Sequence, residues 1–242
     1  GIRARRISKV GDPSEFNSAL GFEAAKKALE MAGKRPEAID QILYATSSPD
    51  TPLPATACRL QALLGARNAW AADIAAACTG FLYAMSLADS GIRAGQSKTV
   101  LVVGAEVLSR LLNWKDRSSC VLFGDGAGAA IIERVPADSP HRLLEGHLRS
   151  DGSHLDLICI PAGGTNRPVD AEILESAENK VHLRGKEVFK EAVTLLTESS
   201  LRALEKNGLK TTDVDWFVPH QANLRIIEAV AKRLEVPMSK IF

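Results

Sequence analysis

Two stretches of this chain correspond to each other at one constant offset. ALEMAGKRPEAIDQIL begins at Ala28 and ALEKNGLKTTDVDWFV begins at Ala203, 175 positions further on. At that spacing Ala28, Leu29, Glu30, Gly33 and Asp40 meet Ala203, Leu204, Glu205, Gly208 and Asp215, and Ile39 meets Val214 without a gap. Each stretch reads as the end of a helix, a glycine stop, a loop and a buried strand. One correspondence of this kind can also arise by chance in a helix-to-strand connection, so duplication and coincidence both stay open on pattern alone. A duplication would oblige the chain to fold as two similar halves. The first copy extends at least to the apolar run ending near Glu133. The second is then expected to extend to about residue 308, so the sequence should hold one nearly complete half and one incomplete half.

Composition narrows the class. Lys and Arg number 30 against 29 Asp and Glu, a formal net charge of +1, in 242 residues that are 45% hydrophobic and 5% aromatic. That balance argues against a binder of nucleic acid, which needs a basic face or tail. Apolar residues recur along the whole length, which argues against disorder. The most apolar run, from Ala69 to Cys78, is interrupted by Asp73 and is too short to span a membrane. GIRARR at the start carries no apolar signal-peptide core. Cys58, Cys78, Cys120 and Cys159 show no CxxC pairing, so free thiols in the cytoplasm are expected.

Elements alternate along the chain. Asn17 and Ser18 are expected to cap a helix running toward Gly33, followed by a strand over 39–46 and the turn-rich SSPDTPLP. A helix ending near Gly65, a strand from Trp70 to Ile74, a helix from Cys78 toward Gly95 and the strand KTVLVVGAE follow. CVLFGDGAGAAIIERV reads as two short strands around a glycine turn. The alternation predicts an α/β fold with a largely parallel sheet.

Two positions stand out chemically. Cys78 follows a buried strand and opens a helix in the string DIAAACTGF, among small neighbours Ala75, Ala76, Ala77 and Gly80. A helix start favours thiolate and so a nucleophile, although most free cysteines are small buried hydrophobes. AACTG also imitates a nucleophile elbow, which keeps a hydrolase in view. His220 ends a short strand just before a helix beginning around Asn223, a position suited to a base, acid or hydrogen-bond donor as well as to an ordinary loop histidine. No two histidines have helical metal-ligand spacing, so no metal is expected. Gly124, Gly126 and Ala129 satisfy GxGxxA, but Ala130, Ile131 and Ile132 continue as strand where a dinucleotide site needs a helix. No nucleotide cofactor is expected there.

DIAAACTGF, FGDGAGAA and VPHQANLRII together resemble the 3-oxoacyl-[acyl-carrier-protein] synthase III family, and TSSPDTPLPATAC, WKDR and GKEVFK follow that family's order. The resemblance implies a thiolase-like α/β fold, with two halves related by pseudo-two-fold symmetry in α-β-α-β-α layers. Residues 1–140 would form the half carrying the nucleophile. Residues 141–242 would form an incomplete half carrying the histidine. It further implies that Cys78 is acylated by an acyl-CoA and that His220 assists decarboxylation of a malonyl-carrier protein, in the reaction that starts type II fatty-acid synthesis. Arg117, Gly185, Phe189 and Asn223 correspond to positions along the CoA and pantetheine tunnel. Leu53 corresponds to a residue that bounds the acyl pocket across a homodimer interface. Leucine there, where an aromatic is common, implies room for a longer or branched primer. Lys190, Arg225, Lys232 and Arg233 would face an acidic acyl carrier protein. No cofactor is implied, since acyl-CoA and malonyl-carrier protein are substrates. The family's catalytic asparagine, in a downstream HGN segment, and its residues that sandwich the CoA adenine fall outside this sequence. Two other readings accompany this one: a related acyltransferase of secondary metabolism, and an inactive paralogue serving as a dimer partner.

Overall fold

The computed structural model describes residues 2–242; Gly1, the first residue of the expected nucleophile-bearing half, lies outside the described residues. Two compact units are present. One comprises Arg6–Ser109 and Gly124–Leu143; the other comprises Arg110–Phe123, Leu144–Phe242 and the segment ending at Arg5.

The first unit is built from α1 (Asn17–Met31), β1 (Gln41–Ala45), α2 (Thr56–Leu64), β2 (Trp70–Ile74), α3 (Gly80–Arg93), β3 (Thr99–Val107) and β4 (Asp125–Glu133). Its sheet has the order β2-β1-β3-β4. β1 runs parallel to both neighbours, with Gln41 opposite Trp70 and Val100, whereas β4 is antiparallel to β3, with Thr99 opposite Glu133. The two-residue period of a strand divides its side chains between two cores. Ile42, Tyr44, Leu101 and Val103 pack with Ala25, Leu29, Ala57 and Leu60 of α1 and α2. Leu43, Val100 and Val102 pack with Ala84 and Ala88 of α3 on the other face. Alanine on α3 lets that helix lie close to the sheet. Each fully buried aliphatic side chain contributes about 1.5–3 kcal/mol.

The expected largely parallel sheet is present in β2-β1-β3, and β4 adds an antiparallel edge. Two further expectations are corrected. The FGDGAGAA region is one continuous strand and not two around a turn: Gly126 and Gly128 stand in the ladder opposite Glu106 and Gly104. Glycine has no side chain to mark a strand's facing, so the period vanished from the sequence there. Asn17 lies inside α1 rather than capping it; Phe16 holds the cap position without a side-chain bond. The Asn17 amide is committed to the sheet instead, donating to Thr46 Oγ1 and Ala105 O, each at 3.0 Å.

The second unit centres on α5 (Gly185–Lys206) and α6 (Leu224–Leu234), whose residues Val193, Ile226, Val230 and Leu234 form its core with Val236, flanked by Phe217 and Ile241. Two short strands, Ile158–Cys159 and His182–Leu183, pair antiparallel, and a six-residue helix, α4, covers Ala171–Ser176.

The repeat is visible in backbone detail. Gly33 has φ 60° and Gly208 has φ 64°. Each closes its helix with the same pair of bonds: Gly33 N–H to Glu30 O and Lys34 N–H to Leu29 O, then Gly208 N–H to Glu205 O and Leu209 N–H to Leu204 O. The 3₁₀ turns Pro36–Ala38 and Thr211–Asp213 follow at the same offset of 175. β1 then pairs parallel with β2, and Phe217 pairs parallel with Ile241.

Candidate active site

Cys78 lies at the carboxyl end of β2, in the 3₁₀ turn Ala77–Thr79 that leads into α3. The residue before it, Ala77, has φ 45°, a left-handed conformation that costs an alanine about 1–2 kcal/mol. Such a turn lifts the next side chain out of the strand line, and Cys78 is exposed. α3 starts tightly against the sheet: a Cβ on Gly80 would lie 3.1 Å from Ala45 Cβ and 3.5 Å from Ile74 O. The helix-start argument alone predicts an acidified thiol. Loss of hydration pushes the Cys78 thiol up instead, the Glu106 carboxylate pushes it further, and the backbone N–H of Cys78 itself opposes both.

Glu106 stands at the far end of β3 and was not singled out by sequence reasoning. Its carboxylate accepts the Ser47 N–H at 2.8 Å, the Thr46 hydroxyl at 3.4 Å and the Ser48 hydroxyl. Burial raises its pKa against these bonds. Tyr44 Oη donates to Asn17 Oδ1 at 2.7 Å, and Asn17 in turn donates to Thr46, which ties α1 into the same network. The available signal was a lone acid inside the apolar run VLVVGAEV. Asp73 is similar. Its two carboxylate oxygens accept the Thr56 and Ala57 N–H groups at 2.8 and 2.7 Å, so β2 caps a helix that has no cap of its own. Asp125, in FGDGAGAA, accepts from Ser8 N at 2.7 Å and from Ser109 N and Oγ at 2.9 and 2.6 Å. Burial alone would raise its pKa, and these bonds hold it below the ordinary range. Leu53 belongs to the same unit and is 85% exposed.

The other unit holds the remaining candidates. His220 lies at the surface in the irregular segment between Phe217 and α6, and partial loss of hydration lowers its imidazole pKa below the ordinary value. Asn223 is the cap of α6, its Oδ1 accepting the Ile226 N–H at 3.1 Å. Arg117 is exposed in a turn organised by Asp116, which accepts the Ser118 N–H at 2.9 Å. Gly185 opens α5 and Phe189 stands one turn later, 38% exposed. Lys190 is exposed on α5, and Arg225, Lys232 and Arg233 are exposed on α6. Arg233 Nη1 donates to Thr194 Oγ1 at 3.3 Å, one turn along α5 from Lys190, so these cations share neighbouring helices.

Cys78, Glu106 and Leu53 are thus held by one unit, and His220, Asn223, Arg117, Gly185, Phe189 and the four cations by the other. Among the described residues, no cluster of three or more His, Cys, Asp or Glu side chains could hold a metal ion, and no helix is long and apolar enough to cross a membrane.

Comparison with known proteins accounts for this arrangement. A family model for 3-oxoacyl-[acyl-carrier-protein] synthase III matches residues 72–152, and one for the C-terminal part of the same family matches residues 204–242. The beta-ketoacyl-[acyl-carrier-protein] synthase III of Roseiflexus sp. (strain RS-1) is 47% identical over all 242 residues, which span 72% of that protein. Among solved structures, the synthase III of Aquifex aeolicus VF5 aligns with the whole chain, over 72% of its own length, at a TM-score of 0.87 and 40% identity. That of Pseudomonas aeruginosa PAO1 aligns over 70% of its length at 0.88 and 39%. The fold is the thiolase-like α/β fold of these enzymes. The alignment spans both the cysteine-bearing and the histidine-bearing units, and the chain belongs to the 3-oxoacyl-[acyl-carrier-protein] synthase III family.

Proposed function

We propose that the protein condenses an acyl-CoA primer with malonyl-acyl carrier protein, with loss of carbon dioxide, to start type II fatty-acid synthesis. The observation that carries this reading is Cys78 on its strained turn at the end of β2, in a chain of this family. In the first half-reaction the Cys78 sulfur, as thiolate, attacks the thioester carbonyl. The new S–C bond forms, the bond to the CoA sulfur breaks, and CoA leaves with the proton as its free thiol. In the second, the malonyl thioester loses carbon dioxide, and the resulting enolate carbon attacks the acyl-cysteine. The bond between the acyl carbon and the Cys78 sulfur breaks, the 3-oxoacyl-carrier product departs, and the released Cys78 thiolate is free for the next cycle or takes a proton from solvent. His220 donates a hydrogen bond to the thioester oxygen as charge develops there. Arg117, Gly185, Phe189 and Asn223 line the path of CoA and pantetheine, and Lys190, Arg225, Lys232 and Arg233 receive the acidic carrier protein. Both thioesters are substrates, and the scheme uses no cofactor.

The working unit in this reading is a cytoplasmic homodimer. β2 is an edge strand, and Trp70 on it is 55% exposed, with Leu82 and Leu87 of α3 exposed at 57% and 49%. An unpaired apolar edge of this kind invites pairing with a second copy, and Leu53 would then bound the partner's primer pocket.

Labelled acyl-CoA and malonyl-carrier protein test the chemistry. Carbon dioxide release with a 3-oxo product is expected, together with a Cys78 acyl adduct in the intact mass that is absent from Cys78→Ala. Acyl transfer without decarboxylation, or an adduct that survives the substitution, would overturn the reading.

A further inference from the structure

Arg5 has no part in the chemistry described so far, yet its guanidinium joins two backbone carbonyls that lie far apart in sequence within one compact unit. Nε donates to Leu122 O at 3.1 Å and Nη2 donates to Ala222 O at 3.2 Å. Both carbonyls belong to irregular segments, where no helix or sheet ladder is on hand to satisfy them. Ala222 is the telling partner. Its N–H donates to His220 O at 2.9 Å, so His220 and Ala222 are two ends of one tight turn. Just beyond it Asn223 is fixed as the cap of α6, and inside it Gln221 Nε2 donates to Pro219 O at 3.2 Å. The turn is therefore anchored on its helix side by Asn223, and Arg5 supplies an anchor from a remote part of the chain. A planar guanidinium fork fixes direction as well as distance for two acceptors at once, which a lysine ammonium does not.

We propose that Arg5 is a positioning residue for His220: its bonds to Leu122 and Ala222 set the orientation of the 219–223 turn, and with it the imidazole, for the decarboxylating half-reaction. Arg5 touches no reacting atom. The inference rests on the condensing function proposed above. Acylation of Cys78, which does not call on the 219–223 turn in that scheme, serves as the internal control.

The test compares wild type, Arg5→Met and Arg5→Lys in the full chain. Three quantities are read: the rate of Cys78 acylation by acyl-CoA, the rate of carbon dioxide release from malonyl-carrier protein, and hydrogen exchange by segment. Arg5→Met should acylate within about twofold of wild type while decarboxylation falls roughly 10- to 100-fold, the size expected when a reacting group is misplaced by about an ångström. Exchange in the 219–224 segment should rise while that of α5 stays unchanged. Arg5→Lys should behave like Arg5→Met, because one ammonium cannot reproduce the fork. Unchanged exchange at 219–224 overturns the inference. So does parallel loss of both half-reactions with exchange raised throughout, the mark of a merely structural residue. A wild-type protein that is acylated yet releases no carbon dioxide would sink the condensing function instead, and the exchange comparison would still decide whether Arg5 holds the turn.

Discussion

Cys78 and His220 illustrate how far a residue's type and place in the sequence specify its chemistry. A cysteine among alanines after a strand was legible as a nucleophile candidate, and a histidine between strand and helix as its companion. Their electrostatic settings were not legible, because those depend on what surrounds each group. The Glu106 carboxylate that works against the Cys78 thiolate comes from β3, 28 positions away in sequence. Partial loss of hydration likewise moves His220 below its ordinary value of 6.5. An NMR titration of the His220 imidazole should therefore give a midpoint below 6.5; a midpoint at or above it would contradict the assigned environment. The sign follows from linkage. A histidine whose native pKa is depressed stabilises the fold above its unfolded value, and that contribution is lost as pH falls toward the native one.

At the level of elements, hydrophobic period located the parts of the first unit well. The strand over 70–74 stands where Trp70 and Ile74 bound it, and β3 covers the KTVLVVGAE run from Thr99 onward. Two features escape the local pattern. Glycine carries no facing to mark β4 as one strand, and the type of Asn17 favours a cap while its actual bonds are to Thr46 and Ala105. Close approach between elements is equally silent in sequence. A Cβ on Gly21 of α1 would lie 2.2 Å from Tyr44 Oη, which itself donates to Asn17 Oδ1 at 2.7 Å. Ordinary helix propensity favours alanine over glycine by about 1 kcal/mol. The clash reverses that preference here. Gly21→Ala should destabilise by about 2 kcal/mol and lower Tm by roughly 5 °C. A thermal melt showing an unchanged or raised Tm would disprove the packing at this contact.

For the whole molecule, the duplication was the strongest inference available from sequence, and the same helix cap and 3₁₀ turn recur at the offset of 175. The proposed dimer belongs at this scale as well. Trp70 lies on the exposed edge strand β2, so Trp70→Glu should shift sedimentation from dimer toward monomer and leave the circular dichroism of the fold intact. A wild-type protein that sediments as a monomer, or a variant that remains dimeric, would remove β2 from the interface.

By itself the sequence determined the repeat, the α/β alternation, the cysteine at the end of β2 and the family resemblance. Each of these is carried by residues close together along the chain, where spacing and residue type suffice. Only the tertiary structure decided that the sheet is mixed, that Asp73 caps α2, that Glu106 opposes the Cys78 thiolate and that Arg5 reaches the turn of His220. Those facts depend on pairs separated by tens to hundreds of residues. Their meeting is set by packing the whole core, and no local pattern records it.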